Sequence, residues 1–188
     1  SAVTVKNGNR SVVSAYAIPE NGTFTLLDYD GDDVYDAVII REYSVKLALS
    51  ASASDETVCF DKDSNALHLK DFDDYRISDA DGNEKALSSI ARYDVLEIEK
   101  ADDLSFVSVR VISERKRLTV SAMHENDNGK NVVTDENGAE YELAPCFAED
   151  IRVGTAYEFA LDSRGRLAGV ALFDTGNSYM VGYAVSAD

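Results

Sequence analysis

The stretch FTLLDYDGDDVYDAVIIR, residues 24–41, decides how the rest of the chain is read. Phe24 and Leu26 alternate with Thr25, the period of a half-buried strand. The run Ala37-Val38-Ile39-Ile40 suits a strand covered on both faces. Between the β-prone segments 23–27 and 34–40 lies an acidic loop containing Gly31, so the stretch predicts a β-hairpin. Within the loop Asp28, Asp30, Asp32 and Asp36 occupy positions 1, 3, 5 and 9, and the carbonyl of Val34 falls at position 7. That spacing can surround a hard cation with oxygen ligands, so the metal it would take is calcium. Position 12 holds Ile39 where an EF-hand has a bidentate acid, position 6 holds Asp33, and glycine stands at position 4. Strands rather than helices flank it. The other reading is a plain hairpin turn in which Asp28 accepts bonds from backbone amides and Gly31 supplies positive φ.

Upstream, the apolar run 12–16 precedes Pro19, and the turn Glu20-Asn21-Gly22 leads into Phe24. Downstream, short strands are expected over 45–49, 57–60, 66–69, 75–78, 95–99 and 106–112. Leu96 and Ile98 alternate with Glu97 and Glu99, and Val107, Val109 and Val111 with Ser108 and Arg110, which predicts one buried and one wet face. A similar plan then repeats. ISDADGNEKAL, residues 77–87, matches VTDENGAEYEL, residues 133–143, so that Gly82 falls on Gly138 and Leu87 on Leu143. VLEIEKADDLSFVSVRVI, residues 95–112, matches AYEFALDSRGRLAGVALF, residues 156–173, which superposes Leu96, Ile98, Val109 and Val111 on Tyr157, Phe159, Val170 and Leu172. Two copies of a small β unit of roughly 60–75 residues follow from this.

The fold class expected is therefore all-β: an N-terminal β-hairpin segment over 1–43 and two similar small β-barrel or sandwich-like repeat units over 44–115 and 116–188. The SDADGNE and TDENGAE loops carry fewer acids than loop 28–36 and read as turns. Segments 84–93 and 146–153 lack a sustained helical stripe and predict a single helical or 3₁₀ turn at most. The tail 179–185 reads as one more strand, closing the second unit or opening a third.

With 45% hydrophobic residues the chain of 188 is globular, and 35 acidic against 18 basic residues give a net charge of −17. Such a surface repels phosphate backbones, which argues against nucleic acid and anionic membranes as partners. No segment approaches the ~20 apolar residues of a membrane span. No charged n-region with an apolar run follows Ser1, so any signal peptide is expected to be removed or to lie outside this sequence. Cys59 and Cys146 each lie beside phenylalanine, which reads as two buried thiols or, alternatively, as one mutual disulfide.

Catalytic constellations do not emerge. His68 alternates outward between Leu67 and Leu69, His124 sits in the polar loop HENDNGK, and neither has a partner at metal-ligand spacing. Nor is there a GxSxG, a glycine-rich phosphate loop or an HExxH. Acidic residues are so abundant that nothing selects one pair as the acid and base of a hydrolase. Tyr16, Tyr29, Tyr35, Tyr43 and Tyr183 offer rings for sugar stacking, although tyrosine at strand period is commonly a core-edge residue. Asn9-Arg10-Ser11 and Asn21-Gly22-Thr23 match glycosylation sequons, which matter only in a eukaryotic source.

FTLLDYDGDDVYDAVIIREY and ISDADGNEKALSSIARYDVLEIEKADD resemble stretches of large cell-surface proteins of Gram-positive bacteria, the S-layer homology (SLH) domain-containing family. There an acidic DxDGDxxxD turn precedes a Val/Ile strand, and a DxxG turn and Leu-Ser step precede a "GDVL"-like strand. Tyr93-Asp94-Val95-Leu96 replaces that glycine, whereas Val153-Gly154-Thr155 keeps it. The anchoring SLH repeats themselves are not visible. The resemblance implies a non-catalytic structural or adhesive β module of an envelope or secreted protein. Its partners would be a cell-wall or surface polymer or neighbouring modules of the same chain. A carbohydrate-binding module is the alternative reading, and a hydrolase the third.

Overall fold

The computed structural model describes residues 3–11, 18–60 and 65–174, and there the protein is all-β. The expected runs at 12–16 and 179–185, with Tyr16 and Tyr183, lie outside the described residues.

The amino-terminal sheet contains β1 (Val3–Lys6), β2 (Asn9–Ser11), β3 (Gly22–Leu27) and β4 (Ala37–Glu42), in the order β2-β1-β4-β3. The expected hairpin is β3 and β4, antiparallel from Leu27↔Ala37 beside the acidic loop to Gly22↔Glu42 at the far end. Residues 34–36 belong to the loop, not to the strand. Strand β4 buries Val38 and Ile40 and half-buries Ala37 and Ile39, as a strand covered on both faces should. Its second neighbour is β1, which runs parallel to it from Val3↔Ala37 to Lys6↔Ile40. Asn7, in the tight turn after β1, holds this sheet to the remainder: its Oδ1 accepts the Glu42 N–H at 2.8 Å, and its Nδ2 donates to the carbonyls of Glu42 at 3.0 Å and Lys100 at 2.8 Å.

The first unit contains β5 (Ser44–Leu47), β6 (Ser50–Ser52), β7 (Thr57–Cys59), β8 (Ala66–His68), β9 (Asp74–Asp79), β10 (Val95–Lys100) and β11 (Phe106–Ile112). They form one sheet ordered β5-β10-β11-β9 and a second ordered β6-β7-β8. A single five-stranded sheet, β14-β13-β12-β15-β16, makes the second unit, from β12 (Arg115–Glu125), β13 (Asn131–Asp135), β14 (Glu140–Glu142), β15 (Ala156–Leu161) and β16 (Leu167–Asp174). This sheet curls until its edges touch in one parallel bridge, Leu143↔Leu167. It does not close into a barrel. The helix candidate 84–93 holds a 3₁₀ turn, Leu87–Ser89.

Backbone hydrogen bonds set the two units in correspondence. Tyr93 N–H donates to Ala48 O at 2.6 Å and Ala48 N–H to Asp94 O at 2.8 Å; Gly154 N–H donates to Val120 O at 2.7 Å and Val120 N–H to Thr155 O at 3.0 Å. Leu69 N–H to Glu56 O, 2.8 Å, recurs as Leu143 N–H to Asn131 O, 2.9 Å. Strands β5 and β6 thus correspond to the one long strand β12, which shifts register between Val120 and Ala122 where the first unit breaks. Hairpin β7-β8 corresponds to β13-β14, and β10-β11 to β15-β16. The match between 95–112 and 156–173 is a match in position.

The match between 77–87 and 133–143 is not. Both segments make the same local turn, with Ser78↔Glu84 mirrored by Thr134↔Glu140. However, β9 lies parallel to β11, whereas β13 lies antiparallel to β12. The shared residues encode hydrogen bonds within the turn, and those carry no information about which strand lies alongside.

The turn itself occurs four times among the described residues. Oδ1 of Asp79, Asn126, Asp135 or Asp162 accepts the N–H groups two and four residues on, at 2.8–3.0 Å. These bonds satisfy amides that the ladder cannot reach. They also hold the carboxyls of half-buried Asp79 and buried Asp135 below their ordinary range, Asp79 chiefly through the Asn83 side chain and Asp135 chiefly through the Ala139 amide. Their contribution is full above the unfolded carboxyl pKa near 4 and is lost as pH falls through the lowered folded value.

Hairpin β10-β11 departs from the pattern. Ala101 stands where β15-β16 has Asp162, and Leu104 takes the left-handed backbone, φ 62°, that Gly165 holds at 76°. A branched side chain there costs about 1–2 kcal/mol, partly offset by the greater unfolded-state freedom of glycine. Leu104→Gly should raise stability by up to about 1 kcal/mol, seen as a melting temperature roughly 2–4 °C higher. An unchanged or lowered value would mean that exposed Leu104 makes compensating contacts.

Three apolar clusters hold the units. One lies within the first, around Leu67, Leu96, Val107 and Val109. Another lies within the second, around Val120, Val133, Phe159 and Leu167. The third is a seam in which Val45, Val95 and Ile112 of the first unit meet Ala144, Ala160 and Ala168 of the second. Small residues on one side of the seam let branched ones on the other approach closely. Covering this face has a consequence for β10: Glu97, expected on a wet face, is only 5% exposed.

Candidate functional site

Loop 28–36 projects from the β3-β4 hairpin and is held by its own carboxylates. Asp28 accepts the N–H groups of Gly31 at 2.7 Å and Asp33 at 3.1 Å. Asp36 accepts the Tyr29 N–H at 2.8 Å, and the Asp36 N–H closes the loop on Leu27 O at 2.8 Å. The Gly31 amide above all lowers the Asp28 pKa, so this carboxylate is charged at neutral pH. Carboxylate oxygens of Asp28, Asp30 and Asp36 lie within 4.8 Å of one another.

Of the four carboxylates expected from spacing, three therefore lie together. Asp32 turns away, its Oδ1 taking the Val34 N–H at 2.9 Å. The backbone φ is positive at Gly31, 76°, and at Asp33, 65°; the turn at position 6 is the one an EF-hand loop has, and the turn at position 4 is not. Asp28, Asp30 and Asp36 form a donor set of oxygens alone, the kind hard cations take. All three are exposed.

Among the described residues the expected tyrosines do not share one surface. Tyr29 and Tyr35 stand on the acidic loop, while Tyr43 follows the opposite end of β4. Six strand residues place these ends about 20 Å apart. The histidines have local partners: His68 Nδ1 shares a hydrogen bond with Thr57 Oγ1 at 3.0 Å, and His124 Nε2 lies 3.4 Å from Glu140. Both cysteines are free thiols. Cys146 donates to Ala168 O at 3.4 Å, and burial pushes its pKa up to about 11, which makes it unreactive.

A second feature escaped sequence reasoning because it exists only between elements. A groove of about 450 Å³ opens between the amino-terminal sheet and the first unit. Its floor is the outer face of β9, β10 and β11, with Ser78, Glu97, Glu99, Ser108 and Arg110; Gly22, Thr23, Arg41 and Tyr43 form one wall and the turn after β9 the other. Buried Glu97 accepts the Ser163 hydroxyl and, at 3.2 Å, the Ser163 N–H, with Arg110 3.6 Å from its other oxygen. At the rim Gly22 has φ 151°, and a Cβ there would run into the carbonyl oxygen of Arg41, so only glycine leaves this wall in place.

Among the described residues no helix is long and apolar enough to cross a membrane. Compared with known proteins, the chain matches no family model, and no curated protein matches it.

Proposed function

We propose that the chain is a non-catalytic structural or adhesive β module of a bacterial cell-surface or secreted protein, steadied by calcium at loop 28–36. The observation that carries this reading is the repeated hydrogen-bond frame of two units joined through an apolar seam. Units built this way pass stability to their neighbours and extend into arrays. The net charge of −17 keeps such a surface soluble and makes divalent cations natural modulators of contact with a wall polymer or a neighbouring module. The SLH-type resemblance of residues 24–43 and 77–103 supports an envelope location.

Three carboxylates within 4.8 Å repel one another until a cation lies between them. Calcium at about tenfold its Kd should stabilise the fold by about 1.4 kcal/mol, a rise of roughly 3–6 °C at this chain length. Asp30→Ala with Asp36→Ala should abolish both that rise and the calorimetric heat, while Asp32→Ala should leave them. No heat and no shift at millimolar calcium would remove the metal from the proposal. Hydrolysis of a wall polymer, abolished by one carboxylate substitution, would overturn the non-catalytic reading.

A further inference from the structure

We propose that the groove between the amino-terminal sheet and the first unit binds a neutral, hydroxyl-rich saccharide. This rests on the adhesive half of the function proposed above and supplies what the module would adhere to.

The groove gathers polar groups whose side chains take no partner among the described residues. Arg41, Glu99 and the hydroxyls of Thr23, Tyr43, Ser78 and Ser108 line it, and among the described residues none has a side-chain hydrogen bond or ion pair. Four are partly or wholly covered: Ser78 is 8% exposed, and Tyr43, Glu99 and Ser108 are half-buried. No buried side-chain polar atom in the described structure lacks a partner, so the Ser78 hydroxyl opens onto the groove. Polar groups elsewhere in the interior are matched within the protein, as they are for Asp94, Asp162 and Arg166. The groove lining, by contrast, opens donors and acceptors to whatever enters it.

Their chemistry selects the class. A guanidinium donates only, a carboxylate accepts only, and hydroxyls do both. A sugar, whose adjacent hydroxyls donate and accept, answers all of these at once. Charge argues the same way: Arg41 and Arg110 face Asp81, Glu97 and Glu99, so neither a polyanion nor a polycation meets a complementary field. The volume lies within the ~300–1,000 Å³ of small-molecule sites, and the half-buried Tyr43 ring supplies an apolar surface for a sugar face.

The test is a titration of the full chain with neutral trisaccharides of glucose, mannose, galactose and N-acetylglucosamine at millimolar concentration, followed by amide NMR shifts. At least one should move the amides of Thr23, Ser78 and Ser108. Arg41→Met and Glu99→Gln should each weaken that binding about tenfold or more. Ser108→Tyr, which fills the floor, should abolish it. Silence across the panel, shifts centred on Tyr29 and Tyr35, or affinities unchanged in all three variants would overturn the proposal. So would stronger binding of a basic peptide or a uronic-acid trisaccharide. Calcium stabilisation with a silent groove would leave the structural module standing and dismiss the groove alone.

Discussion

Phe159→Ala is expected to lower stability by about 3–5 kcal/mol. The ring is 0% exposed on β15, the strand hydrogen-bonded between β12 and β16. Tyr157 and Phe147 lie 5.5 Å and 6.3 Å from it, centroid to centroid, at tilted angles. Val120, Val133 and Leu167 complete the enclosure. Ladder bonds on both sides prevent β15 from collapsing into the space, so a cavity remains and the transfer loss is not recovered. Domains are stable by only about 5–15 kcal/mol in all, so the urea midpoint should fall by a large fraction with the slope unchanged. A loss below about 1 kcal/mol would mean that the site is wet or already loose.

Arg166→Met should cost about 3–5 kcal/mol for a different reason. Asp162 is 1% and Arg166 6% exposed. Arg166 Nε donates to Asp162 Oδ2 at 2.7 Å, and a terminal nitrogen donates to Asn21 Oδ1 at 2.6 Å. Removing the cation strands a buried carboxylate and deprives Asn21, the residue before β3, of its partner. Nearby, Arg164 donates to Glu20 O at 2.8 Å, and Lys130 pairs with the Glu20 side chain. The tip of β15-β16 and the β12-β13 turn thus support the amino-terminal sheet beside the Asn7 contact with Lys100. Combining Arg166→Met with Asp162→Asn should restore much of the loss, because the stranded charge is gone. Asn126 shows that asparagine makes the same turn bonds. A double variant no better than the single one would place the cost in the Asn21 contact instead, and faster amide exchange at Tyr43, bonded to Asn21 O at 3.0 Å, would report it.

These joints separate what a sequence can state from what it cannot. Alternation at 95–99 and 106–112 located β10 and β11, and the correspondence of Leu96 and Ile98 with Tyr157 and Phe159 located their second copy. The tyrosine at position 93 in place of glycine was legible too: Tyr93 has φ 68° where Gly154 has 83°. At the acidic loop, spacing picked out four aspartates, of which the structure gathers Asp28, Asp30 and Asp36, whereas Asp32 caps the Val34 amide, a choice that a count of positions does not register. The likeness of 77–87 to 133–143 misplaced β9 because a turn is stabilised by its own amides wherever the fold puts it.

Strand periodicity, acidic turns and left-handed positions depend on neighbours a few residues away, so the chain alone determined the all-β class and where the described hairpins bend. The parallel placement of β1 on β4 and β9 on β11, the burial of Glu97, the clasp of Arg166 on Asn21 and the groove beneath Arg41 required the assembled structure. Each arises from whole faces being covered, and that long-range burial of area is not encoded at any single stretch of residues.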